Sequence, residues 1–173
     1  MNLPNKLTMI RIVMVPIVMA LILTGENIWA TVIFALAAIT DFFDGYIARK
    51  YNLISSFGKI MDPLADKLLS FGALLCFIQI DVVNVWAPMI IISREFFVTS
   101  MRVVAVSKGK VIAASWWGKI KTNVQMFAII FALILCKQYA EVSNILIWIA
   151  AIFTVASWIA YIFENISVFK DEE

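Results

Sequence analysis

The sequence predicts an all-α integral membrane protein: six transmembrane helices, a short N-terminal interfacial helix, and both termini in the cytoplasm. Three observations carry that reading. Hydrophobic residues fill 63% of the 173 positions and charged residues only 15%, where a soluble domain carries about 25% charge. The apolar residues gather in six runs, each near the ~20 residues that cross a bilayer. The basic residues then fall almost entirely on one side.

Taken in order, the apolar runs are approximately 8–24, 28–49, 59–80, 84–107, 119–137 and 143–168. Breakers separate them: Thr-Gly-Glu-Asn at 24–27, Lys-Tyr-Asn-Leu-Ile-Ser-Ser-Phe-Gly-Lys at 50–59, and Ser-Lys-Gly-Lys at 107–110. Ahead of the first run, LPNKLTMIR reads as a short interfacial helix. Pro4 and Asn5 suit a helix start, and Lys6 and Arg11 suit a headgroup layer. A signal peptide would need a small-x-small cleavage site after the first run, and none follows it. No linker, repeat or composition shift divides the chain, so residues 1–173 read as one membrane domain.

With the N-terminus inside, every one of the 14 lysines and arginines except Lys137 falls on the cytoplasmic side or near it. Lys67 and Arg94 lie deep in their helices and say little about orientation. The remaining bias still places both termini in the cytoplasm. This implies a multi-pass protein of the cell membrane.

Composition also excludes chemistry. There is no histidine, which removes imidazole bases, imidazole metal ligands and phosphohistidine. Cys76 and Cys136 sit in separate apolar runs and read as packing residues rather than a metal or disulfide pair. A net charge of +2 gives no reason to expect a nucleic-acid partner.

The unusual stretch is DFFDGYIARKYNLISSFGKIMDPLAD, residues 41–66. Asp41 and Asp44 lie about 12 and 7 Å above the inner end of the second helix, and Asp62 and Asp66 about 6 and 12 Å above the start of the third, at 1.5 Å per residue. Each pair shares a helix face. An aspartate at the centre of a spanning helix costs roughly 2.5–3.5 kcal/mol. Four together require partial protonation or a cation among them. All-carboxylate ligation suits Mg²⁺, Mn²⁺ or Ca²⁺. Two such ions are a common device for displacement at phosphorus. Gly45, Ala48 and Gly58 leave room for a large ligand, and Arg49 places a fixed cation suited to phosphate oxygens. Single intramembrane acids also occur in ion pathways, so a divalent-cation transporter is the alternative from another class. That alternative leaves Gly45, Ala48, Arg49 and Gly58 unexplained.

Asp41, Asp44, Gly45, Ala48, Arg49, Gly58, Asp62 and Asp66 form the pattern Asp-x-x-Asp-Gly-x-x-Ala-Arg … Gly-x-x-x-Asp-x-x-x-Asp. It resembles the signature of the CDP-alcohol phosphotransferase family, with no position departing. The resemblance implies transfer of a phosphatidyl group from CDP-diacylglycerol to an alcohol, with release of CMP. It implies that Asp41, Asp44, Asp62 and Asp66 hold two divalent ions, Mg²⁺ or Mn²⁺. Asp66 would also be the general base. Gly45, Ala48, Arg49 and Gly58 would line the CDP-lipid site, which faces the cytoplasm. A homodimer is implied as well.

The acceptor is read from a second basic set: Arg94, Arg102, Lys119 and Lys121. An Arg94–Glu95 ion pair inside an apolar helix is expensive without a task. Converged near the aspartates, these cations would bind an acceptor that carries phosphate. LPNKLTMIRI, SREFFVTSMRVVA and ASWWGKIKTNVQM resemble the family members whose acceptor is sn-glycerol 3-phosphate. Inositol phosphate, serine or phosphatidylglycerol are the sibling acceptors. Lys108 and Lys110 read as positive-inside residues, and Trp116 and Trp117 as interfacial anchors.

Overall fold

The computed structural model describes residues 3–50, 56–107, 109, 110, 112 and 115–165; the side chains of 3, 4, 41–50, 56, 57, 59 and 60 lie outside that description. Among the described residues every regular element is a helix. The helices are α1 (Leu3–Thr24), α2 (Asn27–Lys50), α3 (Ser56–Gln79), α4 (Trp86–Ser107), α5 (Trp116–Leu135) and α6 (Ala140–Asn165), with a 3₁₀ turn at Cys136–Tyr139. Their bounds fall within a few residues of the six apolar runs.

The helix ends follow from local chemistry. Gly25 ends α1 with φ +84° and Gly109 ends α4 with φ +72°, a left-handed conformation that costs glycine little. In both, two amides past the end turn back onto the last carbonyls: Gly25 N to Ile22 O and Glu26 N to Leu21 O, Gly109 N to Val106 O and Lys110 N to Ala105 O. This is the Schellman arrangement. Asp81, at φ +58°, plays the same part after α3. At the start of α5, the Ser115 hydroxyl accepts the Gly118 amide at 3.1 Å, satisfying one of the free amides of the first turn.

One expectation changes. LPNKLTMIR is not a separate interfacial helix; α1 runs unbroken from Leu3, with Pro16 inside it. Nothing between Leu7 and Val15 breaks a helix, and the segment is held by burial. Asn5, Thr8 and Arg11 are buried, Arg11 to 1% exposure. Arg11 is therefore an interior residue rather than a headgroup anchor, whereas Lys6 is exposed as expected.

Packing sets the layout. α1 lies against α2 and α3 along much of its length, α5 lies against α6 and α2, and α4 lies against α6. α3 touches α2, α4 and α5 only lightly. At the α1–α3 crossing, a Cβ on Gly72 would come within 3.0 Å of Met19 Sδ and 3.3 Å of Val15, so glycine permits the close approach. The α5–α6 seam buries Ala128, Ala132, Ala150 and Ala151. Such small residues let helix backbones approach in lipid, where van der Waals packing rather than water expulsion drives association. Ala128, Ala132, Ala150 and Ala151 thus serve packing within the chain. Cys76 and Cys136 are free and buried, as expected of packing residues.

Among the described residues, two stretches, Asn5–Thr24 and Trp116–Asn165, are long and apolar enough to cross a membrane. The second spans 50 residues but turns back at Cys136–Tyr139, where Cys136 has φ 33° and ψ −133°. It is thus two antiparallel lengths packed on each other. Asn27–Thr40 is a shorter apolar helix. Large apolar side chains point outward over most of the helices, among them Ile28, Phe96, Val103, Ile152 and Phe163. A surface this apolar is expected against hydrocarbon rather than water.

Candidate active site

The site is built from the side of α3 that its loose packing leaves open. Gly58 is buried at the start of α3, and Asp62 and Asp66 follow one and two turns later, both half-buried. Pro63 lies between them inside the helix, where it removes one backbone donor. The Thr8 hydroxyl of α1 donates to Asp62 Oδ1. Asp41, Asp44, Gly45, Ala48 and Arg49 are on the second half of α2; their side chains lie outside the described residues. Among the described residues no three acidic or sulfur side chains gather as a metal centre. The donor set does fit a hard divalent ion. Asp62 and Asp66 are four residues apart on one helix face, α2 and α3 touch, and every candidate ligand is a carboxylate.

Asp66 stands where cavities meet. On one side is a largely apolar groove of about 510 Å³, lined by Ala35, Ala38 and Ile39 of α2, by Asp66, and by Thr122, Asn123, Met126, Phe127 and Ile130 of α5. On the other is a narrow crevice of about 20 Å³, where Asp66 is joined by Lys67, Ser70, Glu95, Lys121 and Gln125. Beyond Glu95 lies a polar cavity of about 430 Å³ between α4 and α5. Arg94, Glu95, Arg102, Gly118, Lys119, Thr122 and Asn123 line it.

The structure therefore brings Arg94, Arg102 and Lys119 to one cavity, as the sequence suggested, but not Lys121. Arg94 is 5% exposed; it donates from Nη2 to Ser157 Oγ at 2.8 Å and from Nη1 to Glu95 Oε1 at 3.1 Å. Arg102 lies 6.0 Å over the Tyr161 ring, and Lys119 lies 5.8 Å from the Trp116 ring centre, both within cation–π reach. Lys121 is 2% exposed. Its Nζ donates to Glu95 Oε1, and it lines the crevice instead. The reason is angular. Lys119 and Lys121 are two apart on α5, so they face about 200° apart. Trp116 and Trp117 are exposed, as anchors would be. Lys110 is exposed, and Lys108 lies outside the described residues.

Sequence reasoning missed several of these residues. Thr122 and Asn123 border both large cavities, but nothing marks them in sequence. Thr8 and Arg11 looked interfacial because they belong to the polar stretch LPNKLTMIR at the edge of the first apolar run. Glu95 alone left a signal, as an acid beside Arg94 in an apolar helix.

Comparison with known proteins now bears on this arrangement. A model of the CDP-alcohol phosphatidyltransferase family matches residues 1–156. The chain belongs to that family. A CDP-diacylglycerol–glycerol-3-phosphate 3-phosphatidyltransferase of Bacillus subtilis is 39% identical, covering 98% of this chain and 97% of its own length. A protein of the same name from Rickettsia typhi is 39% identical over 92% of this chain and 94% of its own. A probable phosphatidylglycerophosphate synthase of Mycobacterium tuberculosis is 38% identical over 93% of this chain and 80% of its own. As a CDP-alcohol phosphatidyltransferase, the chain must accommodate a lipid-linked donor and an alcohol at one centre. Asp66 lines the apolar groove and the crevice, and Thr122 is shared by the groove, the crevice and the polar cavity.

Proposed function

We propose that the protein is an enzyme of phospholipid biosynthesis, transferring the phosphatidyl group of CDP-diacylglycerol to sn-glycerol 3-phosphate. The products are phosphatidylglycerophosphate and CMP. The names of the full-length relatives support the reaction and the acceptor. The observation that carries the site assignment is Asp66 on the apolar groove, with Thr122 and Asn123 shared between that groove and the arginine-lined cavity.

In this reading the phosphate of the acceptor binds Arg94, Arg102 and Lys119, as fixed cations bind phosphate oxygens. Its free primary hydroxyl then points across Thr122 and Asn123 toward Asp66. The Asp66 carboxylate accepts the hydroxyl proton. The hydroxyl oxygen forms a bond to the phosphorus that carries diacylglycerol, and the bond from that phosphorus to the CMP oxygen breaks. CMP leaves with the bonding electrons. No covalent intermediate on the protein is needed. The diacylglycerol moiety occupies the apolar groove, while Gly45, Ala48, Arg49 and Gly58 border the cytidine diphosphate. Two divalent ions, Mg²⁺ or Mn²⁺, would be held by Asp41, Asp44, Asp62 and Asp66. Bound there, they supply positive charge against the diphosphate.

The same reading places six helices across the cell membrane, both termini and the site on the cytoplasmic side, and two chains as a homodimer. The basic bias and the apolar exterior support the membrane part. The test is an acceptor panel. Purified protein in lipid receives CDP-diacylglycerol and Mg²⁺ or Mn²⁺, and CMP is followed with glycerol 3-phosphate, inositol phosphate, serine, phosphatidylglycerol or no acceptor. CMP release that depends on glycerol 3-phosphate is expected. Release with another alcohol alone would keep the family and overturn the acceptor.

A further inference from the structure

Three cations meet on one carboxylate. Glu95 Oε1 accepts from Arg94 Nη1 and from Lys121 Nζ, and Glu95 Oε2 lies 3.6 Å from Lys67 Nζ. Lys67 also donates to Thr99, one turn beyond Glu95. The cations come from α3, α4 and α5, and α3 touches α4 and α5 only lightly. Glu95 is also the acid that borders both the polar cavity and the Asp66 crevice. Arg94 stands on the cavity side of it, and Lys121 on the crevice side.

Two of these cations are more than nine-tenths buried, and charges so placed need a partner. Arg94 has a second one in Ser157. For Lys121 the hydrogen-bond partner described is Glu95, and the Asp66 carboxylate lines the same crevice. An acceptor phosphate entering the cavity would meet Arg94, Arg102 and Lys119, and would attract Lys121 from behind Glu95 as well. Drawn toward Lys121, into the crevice that Asp66 also lines, the phosphate would take the place beside Asp66 that the hydroxyl needs.

We propose that Glu95 is a positioning residue, the resident counter-anion that holds Lys121 back and so sets how deep the acceptor phosphate binds. This rests on the reading that Arg94 contacts that phosphate and Asp66 its hydroxyl. Removing the negative charge then has an unusual signature: anions bind more tightly while turnover falls. A strut between helices would give neither.

The experiment uses the full chain in lipid with CDP-diacylglycerol, comparing wild type, Glu95→Gln, Glu95→Asp and the charge-neutral pair Glu95→Gln/Lys121→Gln. For Glu95→Gln, kcat falls about 10²-fold, the cost of a misplacement near 1 Å. KM for glycerol 3-phosphate stays level or drops, and inorganic phosphate inhibits more strongly. Glu95→Asp recovers part of the rate. The pair loses the tight phosphate inhibition and regains part of the turnover, a coupling that independent sites would not show. Unchanged kcat in Glu95→Gln, or a raised KM with weaker phosphate inhibition, would overturn the proposal. If Glu95→Gln does not fold, the pair decides, since neutralising both partners avoids an unpaired buried charge. Turnover in the pair within about tenfold of wild type is expected, and a pair that is unfolded or dead makes the network structural and overturns the proposal. Wild-type protein that releases no CMP with glycerol 3-phosphate would overturn the underlying reading itself, a result distinct from an active wild type with an indifferent Glu95.

Discussion

The α5–α6 seam and the region around α3 and α4 solve opposite problems with the same kind of helix. The seam buries alanines and apolar side chains such as Ile129, Leu133 and Ile147, and its two helices share extensive contact. The α3–α4 region is held together by Glu95 and its cations, and cavities open beside it. Lipid does not drive apolar surfaces together, so the seam relies on close packing. Charges in that setting need partners, and the partners keep the helices from closing the space between them. Loose packing is thus what leaves room for two substrates. The seam supplies a rigid wall, and its α5 also carries Lys119 and Lys121 into the site.

The contrast can be broken at either end. The largest effect should come from Asp66→Asn. If Asp66 is the base, CMP release with glycerol 3-phosphate falls about 10²–10⁴-fold, while the melting temperature in detergent stays near wild type. Normal turnover in that variant would remove Asp66 from the chemistry. Next is Arg94→Ala. It deletes a buried cation from the cavity between α4 and α5, which, under the proposal that this cavity takes the acceptor phosphate, should cost about 2–5 kcal/mol of acceptor binding, or about thirtyfold or more in KM. A KM measured against CDP-diacylglycerol should move far less. Equal shifts for both substrates would mean that the two cavities are not separate.

The smallest effect on catalysis, and a clear one on stability, belongs to the seam. Ala132 is fully buried on α5. Ala132→Leu forces extra volume between α5 and α6, at a cost of about 1–3 kcal/mol. Thermal melting should register that loss, with KM for glycerol 3-phosphate unchanged. A changed KM with unchanged stability would reverse the roles assigned to the two regions.

Much of this was legible in one dimension. Six apolar runs and their breakers located the helices to within a few residues, because run length and Gly-containing turns act locally. Thr-Gly-Glu-Asn and Ser-Lys-Gly-Lys marked the ends of α1 and α4 because Gly25 and Gly109 take positive φ. The aspartates announced themselves because acid in an apolar helix is costly. The joining of LPNKLTMIR to α1 was not legible, since a polar N-terminal stretch reads the same whether it lies on a membrane or is buried against α3. The separation of Lys121 from Lys119 was not legible either, because charge counts carry no information about helix rotation.

By itself, then, the sequence determined the helical class, the helix boundaries other than the start of α1, the membrane-like composition and the residue types available for chemistry. All of these follow from interactions a few residues apart or from the solvent the chain must suit. Only the tertiary structure decided which cations face which cavity, that Thr8 reaches Asp62, and that Glu95 divides Arg94 from Lys121. Those outcomes depend on the rotation of each helix about its axis. That rotation is set by packing between residues far apart in the chain, such as Gly72 against Met19 and the alanines of α5 against α6.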